Sequence, residues 1–195
     1  MITLIIVSGA LFSYAVFWIW YVGLGRRIST QQIEQTMQLL GSAEFSSTKQ
    51  AQLRHFLEND DGKDFVMVNL LNLKQPRKES ALLLNRYSKI FLGRLLKRAG
   101  HPIAMARAAS GYLEALNVDE ANPWQLAVMV RYRSRRDFAE VAIETLGSDH
   151  HADKLAALEM TFAFPAAPWF VTGGLRWLVA LVLALLAALL HIILV

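Results

Sequence analysis

Two charge-free stretches bracket this chain and limit what it can fold into more than any other feature. Residues 2–24, ITLIIVSGALFSYAVFWIWYVGL, carry no Asp, Glu, Lys or Arg. At a rise of ~1.5 Å per residue they extend roughly 34 Å as a helix, enough to cross a bilayer. Residues 177–195, WLVALVLALLAALLHIILV, carry no formal charge with His191 neutral, and their length just suffices. A water-soluble domain of 195 residues would not be 54% apolar and 18% charged with a mean hydropathy of +0.32, and the excess sits at the two ends. A cleaved signal peptide starts with a basic segment and ends in small residues. Here no basic residue precedes Arg26, and the run closes on Trp18, Trp20 and Tyr21, so a retained anchor is expected.

Every Lys and Arg lies between Arg26 and Arg176. The positive-inside rule then expects the middle of the chain in the cytoplasm and both termini outside, in an inner or plasma membrane. Arg26, Arg27 and Arg176 flank the spans, and Trp18, Trp20, Tyr21, Trp169 and Trp177 cluster where amphipathic rings meet lipid headgroups. The absence of cysteine excludes disulfides, thiolate catalysis and Cys-ligated metals. A net charge of +4, with both signs interspersed, fits membrane proximity rather than nucleic-acid binding.

Between the spans (residues 1–25 and 177–195) the patterning divides the chain into a helical connector, 26–63, a domain, 64–164, and a linker, 165–176. In the connector, Ser47 and Gln50 have the spacing of a capping box, opening a helix through about Leu57, and Asn59-Asp60-Asp61-Gly62 ends it. DFVMVNLLNLK, 64–74, is short, β-rich and apolar on both faces, so it reads as a strand. Leu84, Tyr87, Phe91 and Leu95 repeat at helical spacing within 79–99, and Gly100 follows as a C-cap. Residues 101–116 read as a long strand bulged near Gly111, and NVDEANP, 117–123, as the turn. WQLAVMVRYRSRRDF, 124–138, supplies a third strand. Ser134 and Asp137 then cap a helix that buries Phe138, Val141, Ala142 and Thr145 and stops at Gly147. A short helix from about Asp149 to Ala157 leads into a fourth strand, LEMTFAFP. The order βαββαβ defines an α+β, ferredoxin-like arrangement flanked by N- and C-terminal transmembrane helices.

The strands carry apolar residues on both faces. Helices cover one. The second is expected to gather Phe65, Met67 and Asn69; Ile103, Met105 and Arg107; Ala127, Met129 and Arg131; and Met160 with Phe162, or their neighbours one register away. An apolar patch of that size is not left to water, and a two-fold related copy is its simplest cover. On MVNLLNLK at 67–74, the Tyr87 helix ending in RAG at 98–100, WQLAVMVRYRSRRDF and KLAALEMT at 154–161, residues 64–164 resemble the dimeric α/β-barrel superfamily. Within it they are similar to an uncharacterised group related to EthD-type and antibiotic-biosynthesis monooxygenase-like domains. The resemblance implies a homodimer, and a cavity between sheet and helices lined by Asn69 and Arg131. Terminal spans and a long connector depart from the soluble members.

Five residues are therefore candidates for ligand binding: Asn69, Arg131, Arg107, Met67 and Met129. Asn69 is either a ligand for a substrate oxygen or a buried amide that fixes strand register. Arg107 and Arg131 are either a bidentate anion site or partners of carboxylates across a dimer seam. Arg86, Lys89, Arg94 and Lys97 form one basic side of their helix, suited to anionic lipid or simply to water. His150 and His151, with Asp149 and Asp153 near, point about 100° apart on a helix and chelate poorly, so no metal site is expected. Trp124 and Asn69 match two parts of the haem-degrading relatives' set, but no histidine follows Trp124 at short spacing. His191 in the second span reads as an interfacial imidazole. Small residues at Gly9 and Ser13, and at Ala180, Ala184 and Ala188, allow close helix packing.

No nucleophile triad, nucleotide loop or cofactor motif is present in the sequence, and no catalytic set is assigned. Two functions stay open. One is a two-span membrane protein whose cytoplasmic domain homodimerises and binds a small apolar or anionic molecule. Any chemistry there would be that of a cofactor-free oxidoreductase or isomerase, with Asn69 and Arg131 polarising a substrate oxygen. The other is a non-catalytic accessory or scaffold subunit of a larger membrane complex. Expected partners are a second copy through the sheet face, membrane lipids, and in the second case a membrane-complex partner.

Overall fold

The computed structural model describes residues 1–41, 46–117, 123–146, 150–169 and 173–195. The NVDEANP turn (but for Asn117 and Pro123), the helix stop at Gly147, Asp149 and part of the linker fall outside them. The chain forms two compact units, Met1–Leu24 with Pro168–Val195, and Gly25–Ala167.

The first unit is a pair of antiparallel helices, α1 (Ile2–Val22) and α7 (Leu175–Leu194). Both are long and apolar enough to cross a membrane. Their less exposed positions repeat at three and four: Ile6, Ala10, Tyr14, Phe17 and Tyr21 on α1, and Arg176, Ala180, Leu183, Ala187 and His191 on α7. That spacing is a coiled-coil seam. Thr3 Oγ1 lies 3.5 Å from His191 Nδ1 at one end. At the other, the Tyr14 hydroxyl donates to the Arg176 carbonyl at 3.4 Å, and the Arg176 guanidinium sits 5.3 Å from the Trp18 ring centre and 5.5 Å from that of Tyr21. Of the small residues singled out in the sequence, Ala180 alone falls on this seam. Gly9, Ser13, Ala184 and Ala188 lie off it.

The second unit has an antiparallel sheet of four strands, β1 (Phe65–Leu73), β2 (His101–Arg107), β3 (Leu126–Tyr132) and β4 (Leu158–Ala166), in the order β2-β3-β1-β4. Helix α4 (Arg77–Lys97) crosses from β1 to β2. Helices α5 (Arg135–Leu146) and α6 (His150–Ala157) cross from β3 to β4. Both crossovers skip one strand, which gives a mixed α+β fold of ferredoxin-like topology. Phe65, Leu95, Val130, Tyr132 and Val141 form the core on the helix side, with Met67, Phe91, Leu92 and Phe138 packed against it. The Phe65 ring stacks on Tyr132 at 5.3 Å, and Phe138 meets Tyr132 edge-on at the same separation.

Three local expectations shift. The capping serine of α3 (Ser47–Glu58) is Ser46, whose Oγ accepts from the Lys49 amide at 3.4 Å. The second strand stops at Arg107, and its irregularity lies between Pro102 and Ala104 rather than near Gly111. Proline lacks an amide proton for the ladder, so an edge strand slips there. Beyond α4 the left-handed residue is Ala99, φ 56°. Gly100 serves space instead: a Cβ there would collide with the Leu95 side chain and come within 2.9 Å of the Arg131 carbonyl. The cap at Ser134 is as expected, its Oγ accepting from the Asp137 amide at 3.1 Å.

The 26–63 segment is more than a connector. Ile28, just ahead of α2 (Thr30–Gly41), joins Ile33 of α2 and Leu57 of α3 in a second core with Ala139 of α5. Asp60 ties it further: its carboxylate accepts from the Ile28 amide at 2.8 Å and the Gly62 amide at 3.0 Å. Ile33, Met37, Leu53 and Phe56 carry the apolar spacing that signals this packing.

Candidate functional site

Direct cross-strand partners share a face of the sheet. Phe65, Met67, Asn69 and Leu71 pair with Tyr132, Val130, Val128 and Leu126, so they face the helices. Val66, Val68 and Leu70 pair with Arg131, Met129 and Ala127 on the opposite face. β4 adds Met160, Phe162 and Phe164 there, and β2 adds Ala104 and Ala106. Phe162 is 54% exposed, Phe164 42% and Met129 38%. The Phe162 ring lies 5.8 Å from Phe164 and 6.4 Å from Trp124 at the rim. The open face is thus apolar from β2 to β4.

The five candidate residues are not brought together. Met129 and Arg131 lie on the open face. Met67 and Asn69 lie beneath the helices, which corrects the expectation that β1 contributes them to the same surface. Arg107 pairs with Leu126 and Met105 with Val128, so both take the helix-side parity at the exposed edge strand. Parity explains the difference. One residue of register moves every side chain across the sheet, and a strand apolar on both sides offers no alternation to set it. Val68 and Leu70 were missed on the open face for the same reason, whereas in β4 Met160 and Phe162 lie there as expected and Phe164 extends their row. The aromatic pair at 162 and 164, two apart in a strand, was the available signal.

The polar candidates are engaged within the chain. Arg131 is buried; its Nε donates to Asp64 Oδ2 at 2.8 Å and its Nη1 to the Ala99 carbonyl at 2.8 Å. Asp64, a carboxylate of its own chain, is thus its ion-pair partner. The Asn69 amide donates to the Met67 carbonyl at 3.1 Å and the Val128 carbonyl at 3.2 Å, tying β1 to β3. On α4, Arg86 pairs with Asp153 at 3.0 Å and Arg94 donates to the Glu144 carbonyl, which leaves Lys89 and Lys97 of the basic side.

A second cluster sits on the helix side. Lys154 of α6 lies over the Tyr87 ring of α4 at 5.6 Å, and Tyr87 stacks on Phe91 at 5.8 Å. Burial pushes the Tyr87 hydroxyl up to about 12 and pushes Tyr132 up further, with Tyr87's proximity adding to it. Burial moves the Lys154 ammonium down. Sequence reasoning passed over Lys154; its sign was a cation on the apolar side of a short Ala-rich helix.

Fold and site together define an α+β domain of ferredoxin-like topology with one uncovered apolar sheet face, in a chain with two apolar terminal helices. No family model matches the chain. No curated protein matches it either. Similar solved structures include a protein of unknown function from Rhodopseudomonas palustris, 18% identical, TM-score 0.46, covering 66% of this chain and 97% of that one. An uncharacterised NIPSNAP-like domain protein from Burkholderia xenovorans is 14% identical, TM-score 0.39, over 57% and 88%. An antibiotic biosynthesis monooxygenase-like protein from Bacteroides thetaiotaomicron is 10% identical, TM-score 0.36, over 58% and 96%. At these scores the likenesses carry no argument, and the topology rests on the strand pairing itself.

Proposed function

We propose that this chain is a two-span membrane protein whose cytoplasmic domain pairs with a second copy of itself, sheet to sheet, as an assembly module. The open face of Phe162, Phe164, Met129, Val68 and Leu70 carries this reading. A face of this kind in water is costly, at roughly 25 cal/mol for each Å² of apolar area left uncovered. A two-fold copy presents the same patch, and Arg131, the one charge placed on that face in β3, has its guanidinium satisfied by Asp64. The accessory or scaffold role gains support because the polar groups expected to polarise a substrate are occupied by backbone and carboxylate partners. A single site built from both Asn69 and Arg131 is not proposed, since the sheet separates them.

Native mass spectrometry of the full chain in detergent tests the pairing. The wild type is expected as a dimer. Met129→Asp and Phe162→Asp, each placing a charge on the seam, are expected to give monomers with unchanged helix content. A wild-type chain that stays monomeric, or a dimer untouched by both variants, overturns the reading.

A further inference from the structure

The Gly25–Ala167 unit brings both of its chain ends to one end of the sheet. A Cβ on Gly62 would lie 2.6 Å from the Gly25 carbonyl oxygen, so the incoming chain passes just ahead of β1. The outgoing chain leaves from β4, where Ala166 pairs with Val66. Val66 also pairs with Arg131, and Arg131 with His101. The Arg131 guanidinium donates to the Ala99 carbonyl, just past α4. The C-terminal end of α4 therefore reaches the same end of the domain as both connections to the apolar helices.

Positive charge is in excess there. The carboxylates are taken: Asp60 by Arg135, Asp61 by Lys63, Asp64 by Arg131, Asp137 by Arg133, and Glu140 by both Arg98 and Arg136. Arg26, Arg27 and Lys97 are exposed and, among the described residues, form no ion pair. Leu96, 53% exposed, sets an apolar side chain beside Lys97. Arg77 and Lys78 are exposed too, but they lie at the far end of α4, with Glu79 next to them.

We propose that the end of the domain carrying Arg26, Arg27, Leu96 and Lys97 docks on the anionic lipid headgroups of the leaflet that the spans enter. Lipid is the occupant because the chain runs from Gly25 and Ala167 straight into the apolar helices. Guanidinium and ammonium groups meet lipid phosphates, while their stems and Leu96 lie along the acyl boundary. The inference rests on the two-span reading and is independent of the pairing through the open face.

The test uses the full chain in vesicles of phosphatidylcholine, with or without phosphatidylglycerol at about one lipid in three, and an energy acceptor on lipid headgroups. The donor sits on Gly93→Cys, one turn before Lys97, where an added Cβ meets nothing within 4 Å; the chain has no other cysteine. Transfer is expected to rise with phosphatidylglycerol and to fall back in about 0.5 M salt. The triple variant Arg26→Gln, Arg27→Gln, Lys97→Gln is expected to lose that rise at an unchanged melting temperature. Its docked-to-free ratio should drop about a hundredfold, at roughly fivefold per cation. A donor on Ala81→Cys, roughly 18 Å back along α4, is expected to transfer less in both lipids. Equal transfer with and without phosphatidylglycerol at Gly93→Cys assigns this end to water or an acidic protein and overturns lipid docking. Stronger transfer from Ala81→Cys overturns the choice of end. A chain that the salt washes off phosphatidylcholine vesicles overturns the two-span reading and the docking with it. One that stays in the vesicles but ignores lipid charge overturns the docking alone.

Discussion

Tyr87 and Tyr132 illustrate how single residues in this core respond to pH. Burial raises both phenols above the ordinary value near 10, Tyr87 to about 12. Below pH ~10 the folded and unfolded chains hold the same phenolic protons, and their contribution to stability is full. Between about 10 and about 12 the unfolded chain sheds protons that the native chain keeps, so stability falls as pH rises. Lys154 acts with the opposite sign. Its ammonium is disfavoured when buried, so that penalty is relieved as pH rises toward the ordinary lysine value. Melting temperature followed by fluorescence is expected to drop above pH ~10, and Tyr87→Phe is expected to flatten that drop. An unchanged slope in the variant would refute the assignment. The site residues were only partly legible at this scale. Asn69 and Arg131 were picked out as polar groups in apolar strands, but the sequence left open whether their protons served a ligand or the chain. Of the groups that satisfy them, Met67 lies on Asn69's own strand, while Val128, Asp64 and Ala99 reach their partners from distant parts of the sequence.

At the scale of elements, the junction before β1 depends on a glycine. Gly62 has φ 73°, and a Cβ there would lie 2.6 Å from the Gly25 carbonyl oxygen. Gly62→Ala combines left-handed strain with a backbone clash and is expected to cost about 1–3 kcal/mol in chemical denaturation. Gly111→Ala, with nothing within 4 Å of the added carbon, is the matched control and is expected to cost well under 1 kcal/mol. Equal costs at the two positions would mean that the Gly25–Gly62 approach does not hold this junction. Elements with one apolar stripe were readable: α4 through Tyr87, Phe91 and Leu95, and α5 through Val141 and Thr145. The β2 end was not, because Ala108 and Ala109 extend the apolar run without pairing beyond Ala108, where the last ladder bond goes to the Gln125 carbonyl at 2.9 Å. Helices α2 and α3 looked like a spacer because their polar surface dominates the composition, while a few apolar positions do the packing.

For the whole molecule, orientation is testable because the chain has no native cysteine. Asn59→Cys, at the exposed end of α3, is expected to resist a membrane-impermeant maleimide in intact cells and to label once the membrane is opened. Ready labelling in intact cells would reverse the proposed orientation. Local chemistry was enough to determine the two apolar end helices, the β and α periodicities between them and the order of the elements. Each follows from runs and spacings of neighbouring residues, and needs no distant partner. Which side of the sheet a residue occupies, which strand lies beside which, and that the 26–63 helices join the core were decided only by tertiary structure. Strand parity is a property of pairing: β1 is equally apolar on both faces, and only its register against β3 and β4 sends Phe65 and Met67 under the helices and leaves Val68 and Leu70 on the open face.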